Sequence, residues 1–193
     1  AQADLSLETA LALFSRGGLE ALFDAIEGGL SQGAGWPEEV QAFINQRRRY
    51  EGTIDGVVRF LQGKDPTLAH RLAATGTLPE GPRFQTIADL DQAFGDMGLS
   101  DRARYICTLY IDDLADLVAG TIAPSFSLTR YGEHLASSQA SFDPLAAALA
   151  APPGFIDQLY LDALERHMAA HQPPVVGFSC PFPGNVYAAL RGG

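Results

Sequence analysis

The sequence has few of the residues that mark metal centres, secreted scaffolds and nucleic-acid surfaces. It has two cysteines in 193 residues, which excludes four-cysteine zinc and iron–sulfur sites and gives no disulfide framework. Lysine and arginine total 13 against 23 acidic residues, and the net charge of −10 disfavours a phosphate-binding surface. The one basic run, Arg47-Arg48-Arg49, is typical of a solvated helix face. No apolar run approaches the roughly 20 residues that span a bilayer. We therefore expect a soluble, cytoplasmic protein that binds neither nucleic acid nor membrane.

The residues needed for a protein core are present. Hydrophobic residues make up 47% of the chain, including 11 Phe and 6 Tyr, whereas general disorder requires low hydrophobicity and high charge. The length suits one domain. Because the chain opens at Ala1 without methionine and closes soon after a helix begins, we interpret residues 1–193 as one domain that is a fragment of a longer protein.

Helical periodicity dominates residues 6–170. Apolar residues recur there at three- and four-residue spacing. The longest predicted helices cover residues 38–61, 101–118 and 155–171. The first of them has an interruption expected at Gly52. Shorter helices are predicted at residues 87–96 and within 126–138.

The periodicity changes near the C-terminus. Two prolines end the last long helix, and residues 175–179 (VVGFS) form a continuous apolar run, typical of a strand buried on both faces. A loop follows, and a helix is expected from Val186 with Asn185 as its cap. We therefore predict a mainly α fold with a small parallel β element. It would be an incomplete Rossmann-like α/β unit, residues 174–193, with a large helical insertion. The opening residues AQADL would supply another strand.

The loop after the predicted strand is the best candidate site. Ligands of open parallel sheets bind where strand ends meet helix N-termini, and free N–H groups there suit an anionic or polar ligand. The residues predicted to bind a cofactor are Ser179, Cys180, Gly184 and Asn185. In the alternative, prolines only stiffen a turn and Asn185 only caps a helix. The residues of this segment favour neither interpretation.

Two other groups of residues suggest metal binding, and each has a simpler interpretation. Asp112 and Asp116 share a helix face and resemble the aspartate-rich Mg²⁺ motif of helical terpene synthases. No second metal motif follows them, so we favour solvated carboxylates for the whole acidic run, Asp112, Asp113 and Asp116. His167 and His171 also share a face, without the third ligand that zinc needs. We predict no metal ligands and no catalytic residues, and a Mg²⁺-dependent helical enzyme is the least favoured function.

Residues 175–191, VVGFSCPFPGNVYAALR, resemble a segment of bacterial radical S-adenosylmethionine proteins that carry an N-terminal cobalamin-binding-type domain. These proteins are often described as Fe–S oxidoreductases. Residues 3–23, 54–73 and 78–84 are similar to the same group. The resemblance implies that this chain is a non-catalytic part of the N-terminal, cobalamin-binding-like region of such an enzyme.

The resemblance also sets limits on what the chain could bind. The radical-enzyme cluster motif CxxxCxxC and the cobalamin signature DxHxxG are both absent from the sequence. The resemblance implies cobalamin as the cofactor, bound at the loop of Ser179 to Asn185. Because the cluster motif is absent, the 4Fe–4S cluster and S-adenosylmethionine would belong to the parent enzyme. The implied partner is the remainder of the parent chain. Apart from the resemblance, the exposed edge of the predicted strand favours pairing with a second copy. The alternative function is a helical interaction or regulatory domain without a cofactor.

Overall fold

The computed structural model describes residues 1–30, 35–85, 98–128, 141–181 and 183–193. Within these ranges the regular structure is helical, and no residue belongs to a strand. The chain divides into two compact units. The inner unit is Phe14–Leu117, and the terminal unit combines Ala1–Leu13 with Val118–Gly193. No helix in the described ranges is both long and apolar enough to cross a bilayer.

The described ranges contain ten α-helices. In chain order they are α1 (Leu5–Leu13), α2 (Arg16–Leu30), α3 (Glu38–Asn45), α4 (Arg47–Leu61), α5 (Ala69–Leu72), α6 (Pro82–Gln85), α7 (Leu99–Thr121), α8 (Asp143–Ala150), α9 (Phe155–His171) and α10 (Pro183–Gly192). A short 3₁₀ turn, Pro66–Leu68, precedes α5. The division between the two units falls within α7.

Helix α4 packs its apolar face into the core of the inner unit. Its buried residues recur at three- and four-residue spacing: Tyr50, Ile54, Val57 and Phe60. The Tyr50 ring lies 5.4 Å from that of Phe43 in α3 and 5.3 Å from that of Tyr110 in α7, between centroids. The Tyr110 hydroxyl donates to the Tyr50 carbonyl at 3.0 Å, so this buried polar group has a partner.

The arginine run at the start of α4 is mostly used within the inner unit. Arg47 is paired with three carboxylates at 2.5–2.8 Å, those of Asp24, Glu27 and Glu51. Arg49 donates to two backbone carbonyls, those of Gly76 and Leu78. Two of the three guanidinium groups therefore bind the protein itself, although Arg49 is exposed, as Arg48 is.

In the terminal unit, α1 packs against α9, and α10 packs against both α8 and α9. The helix predicted at residues 155–171 is confirmed as α9. The Gly154 N–H before it donates to the Asp157 carboxylate at 3.0 Å, which stabilises the first turn. The helix ends at His171, and the next residue, Gln172, has a φ of 43° in the left-handed region.

One arginine of α10 joins three helices of the terminal unit. The Arg191 guanidinium donates to three carbonyls at the end of α8 at 2.8–3.0 Å, those of Ala148, Leu149 and Ala151. It also lies 3.3 Å from the Asp157 carboxylate in α9, and both side chains are 9% exposed. Arg191 therefore satisfies the unpaired carbonyls of one helix end and the buried charge of another helix.

The predicted β element is wrong for the described residues. Residues 175–180 form neither helix, turn, bend nor strand, and the predicted strand at AQADL is replaced by four irregular residues and the start of α1. A strand requires a hydrogen-bonded neighbour, and no described residue pairs with the backbone of residues 175–179. The Rossmann-like α/β unit is therefore not formed. A continuous apolar run favours burial, but by itself it does not provide a pairing partner.

The last helix begins earlier than predicted, and two other predicted helices lie wholly or largely outside the described residues. The last helix begins at Pro183, so Asn185 lies inside α10 rather than at its cap. The helix predicted at residues 87–96 lies outside the described residues, as do residues 129–138 of the stretch predicted at 126–138.

Candidate functional site

The terminal unit contains a groove of about 940 Å³. Its walls are α1 with the four residues before it, one face of α9, residues 173–181 and α10. Small-molecule sites in proteins typically have volumes of about 300–1,000 Å³ and combine apolar walls with a few polar groups. The groove is therefore the best candidate site in the described part of the chain.

Helix α9 supplies both an apolar wall and a polar corner of the groove. Ile156, Tyr160 and Leu164 line the wall at four-residue spacing, which places them on one helical face. The same face continues to His167 and His171, which also line the groove. The sequence placed these two histidines together, and in the structure their rings are stacked with centroids 6.0 Å apart.

One histidine of the polar corner contacts an acidic residue that was not selected from the sequence. Oε1 of Glu8, in α1, lies 2.8 Å from Nε2 of His167. The two residues are 159 positions apart, and no local pattern in the sequence predicts such a distant pair. Among the described residues, no group of three or more His, Cys, Asp or Glu side chains is arranged to hold a metal ion.

Two of the four predicted cofactor-binding residues line the groove. These are Ser179, in the irregular segment, and Asn185, in the first turns of α10. Cys180 lies between them in the chain with an exposed side chain, and its Sγ donates to the Asn185 carbonyl at 3.6 Å. Gly184 belongs to the first turn of α10. The loop residues selected from the sequence therefore lie at or beside the groove.

Asn185 also connects two walls of the groove, α10 and α1. Its Nδ2 lies 3.5 Å from the Ser6 Oγ, at the long limit of a hydrogen bond. Both side chains line the groove. A bond of this length is readily exchanged for one to a ligand, so the Asn185 amide and the Ser6 hydroxyl are available polar groups.

The aspartate run of α7 has a structural role in the inner unit. Asp116 pairs with Arg83 of α6, with Oδ2 and Nη2 2.7 Å apart. Asp113 is 1% exposed, and its Oδ1 accepts the Arg83 backbone N–H at 3.1 Å. Among the described residues, Asp112 and Asp116 do not belong to a group of three or more His, Cys, Asp or Glu side chains that could hold a metal ion.

The second oxygen of Asp113 lacks a partner. Oδ2 is buried and has no hydrogen bond among the described residues, and it lies directly against Gly81. Burial raises the pKa of Asp113 to about 6, because desolvation outweighs the hydrogen bond from the Arg83 N–H and the Arg83 charge. The neighbouring carboxylates of Asp116 and Asp112 raise this pKa further.

We expect Asp113 to make the inner unit less stable as the pH rises. Its pKa is about 6 in the folded chain and 3.8 for an aspartate side chain free in water, so protonation favours folding. This contribution is complete below about pH 4 and is lost as the pH rises through about 6; it amounts to roughly 2–3 kcal/mol. Urea unfolding as a function of pH, compared with Asp113→Asn, measures the contribution. An equal pH dependence in the two proteins would contradict the assignment.

Comparison with known proteins gives no relative of this chain. No protein-family model matches it, and no curated protein or solved structure matches it either. The groove and the arrangement of its side chains are therefore the basis on which a function has to be argued.

Proposed function

We propose that the chain is a non-catalytic ligand-binding module, part of the N-terminal region of a radical S-adenosylmethionine Fe–S oxidoreductase, and that its ligand is cobalamin. The observation that carries the proposal is that Ser179 and Asn185, predicted from the sequence to bind a cofactor, both line the groove of the terminal unit. The sequence resemblance supplies the identity of the ligand, and the groove supplies a place for it.

The side chains of the groove suit a large ligand with an apolar ring and polar substituents. The apolar wall of α9, formed by Ile156, Tyr160 and Leu164, provides a surface against which a flat macrocycle can pack. The Ser6 hydroxyl and the Asn185 amide lie at the groove and can bind peripheral amide groups. The backbone N–H and C=O groups of residues 175–179 have no partner in the described chain and add further donors and acceptors.

The residues of this chain would bind and orient the ligand, whereas cobalamin itself would supply the organocobalt chemistry. The sequence lacks the DxHxxG signature, so no residue is assigned as a ligand of cobalt. His167 lies beside Glu8 at 2.8 Å, which gives its imidazole a partner within the protein. The assignment therefore rests on packing and hydrogen bonding, without a bond to the metal.

A tryptophan at position 188 is expected to block the groove. Ala188 of α10 lines it with a partly exposed side chain, so Ala188→Trp would fill space that the ligand needs. We expect hydroxocobalamin to bind the wild-type chain and to bind this variant at least roughly tenfold more weakly, the equivalent of about 1.4 kcal/mol. Isothermal titration calorimetry, with hydrogen exchange of residues 173–181, provides the measurement.

The matched control is Ala147→Trp, an exposed position in α8 of the same unit that does not contribute to the groove. It should bind hydroxocobalamin as the wild type does. If the wild type gives neither heat nor protection, cobalamin is not the ligand. If it binds and Ala188→Trp has no effect, the groove is not the site.

A further inference from the structure

Residues 175–179, VVGFS, form an exposed apolar segment whose backbone has no partner. None of their N–H or C=O groups is hydrogen-bonded within the described chain. The side chain of Val175 is 83% exposed, and those of Val176 and Phe178 are exposed as well. Unpaired backbone groups beside apolar side chains are the features that allow a polypeptide edge to pair with another chain.

The segment has definite ends and a conformation that permits pairing. It contains no turn or bend, and none of its residues has a positive φ. Pro173 and Pro174 precede it and Pro181 follows it, and proline has no N–H to donate to a ladder. Pairing is therefore confined to the residues between these prolines.

The segment is also complementary to itself. In an antiparallel pair centred on Gly177, Val176 of one copy lies opposite Phe178 of the other, and Val175 lies opposite Ser179. Pairs of an aromatic and a β-branched residue stabilise antiparallel strands. In this register Val176 and Phe178 of both copies lie on the same face of the paired strands. A shift by one residue would place those of one copy on the opposite face from those of the other.

Charge and packing favour the same arrangement. No acidic or basic residue occurs in residues 172–190, in a chain whose net charge is −10, so two copies can approach here without placing like charges opposite each other. A two-stranded ribbon alone is marginal in water and needs a surface to cover one face. The Phe178 ring supplies a contact to such a surface, because it lies 3.5 Å from the position that a Cβ would take on Gly192 of α10.

We propose that this surface binds a second copy of the chain through an antiparallel, two-fold pairing of residues 175–179 centred on Gly177. The same residues line the groove, so the pairing is tested without cobalamin. The dimer would hydrogen-bond alternate backbone groups of the segment, which the single chain leaves unpaired, and it would bury Val176 and Phe178.

Charge exchange at the centre of the pairing tests the proposal. A Cβ on Gly177 meets no atom within 4 Å, so Gly177→Asp and Gly177→Lys should leave the single chain folded. In the dimer each change places two like charges opposite each other, and we expect self-association about tenfold weaker than in the wild type. An equimolar mixture of the two variants places opposite charges there and should recover the dimer as a mixed species.

Sedimentation velocity over a wide concentration range and native mass spectrometry of the mixture measure these outcomes. The control pair is Gly28→Asp and Gly28→Lys, at an exposed position of α2 that also has no atom within 4 Å of a Cβ. These variants should associate as the wild type does. A wild type that stays monomeric, a dimer unaffected by the Gly177 variants, or a mixture that does not recover association would each overturn the proposal.

Discussion

Replacing Arg191 by methionine is expected to lower the free energy of unfolding of the terminal unit by about 3–5 kcal/mol. Methionine keeps much of the side-chain length and apolar contact but removes every donor. The change would leave the Asp157 carboxylate without the cation 3.3 Å away, in a place where its side chain is 9% exposed. It would also remove the donors from three carbonyls at the end of α8. Urea unfolding followed by hydrogen exchange in α8 and α9 measures the effect.

A second arginine of the same unit provides the control for this variant. Arg166 of α9 is 65% exposed, and its ion pair with Glu8 is long, at 4.0 Å. Exposed ion pairs contribute little to stability, so Arg166→Met should change the free energy of unfolding by less than about 1 kcal/mol. Equal effects of the two substitutions would show that Arg191 does not hold the helices together.

Gly81→Ala is expected to destabilise the inner unit by about 4 kcal/mol, through overpacking and loss of a buried hydrogen bond. A Cβ at this position would overlap Oδ2 of Asp113 and lie 2.6 Å from its Cγ. Asp113 is 1% exposed, and moving its carboxylate away from Gly81 would disturb the hydrogen bond that it accepts from the Arg83 N–H. The backbone φ of Gly81 is not in the left-handed region, so steric overlap rather than backbone strain causes the loss.

Gly52→Ala is the matched substitution in the same unit. Gly52 lies in α4, is exposed, and has no atom within 4 Å of a Cβ. Alanine is favoured over glycine inside a helix by about 1 kcal/mol, so this variant should be slightly more stable than the wild type. Thermal unfolding of the two variants gives the comparison, and a mild effect of Gly81→Ala would contradict the close packing of Asp113.

Helices could be predicted from the sequence where one face is apolar over several turns. Helix α9 agrees with its predicted bounds. The prediction at residues 38–61 identified the right residues but the wrong break, since α3 and α4 are separated at Gln46 and not at Gly52. A glycine inside a helix costs about 1 kcal/mol, which the burial of Tyr50 and Ile54 readily outweighs.

The burial of Asp113 could have been predicted from the sequence, although its contacts could not. It was interpreted as part of a solvated acidic run, yet it lies three residues after Tyr110 and four before Leu117, both of which are buried. This spacing places it on the inner face of α7. The residues that it contacts, Gly81 and Arg83, lie much earlier in the chain; Arg83 is 30 positions away. The periodicity of a helix does not predict which distant segment packs against it.

The candidate site was predictable only in the part that depends on local sequence. Ser179 and Asn185 were selected because a loop between an apolar run and a helix exposes polar groups, and that local argument does not depend on a sheet. Glu8 was not selected, because its proximity to His167 arises from the packing of α1 on α9. The predicted strand was wrong because pairing depends on a second segment, which a single apolar run does not specify.

The terminal unit consists of two segments that the inner unit separates in the sequence, and this has a consequence for its synthesis on the ribosome. Helix α1 emerges before the inner unit, whereas its packing partner α9 emerges only after the whole inner unit. The inner unit is continuous in sequence, so it can fold as soon as residues 14–117 are available. Until α9 has been synthesised, the side of α1 that packs on it stays uncovered.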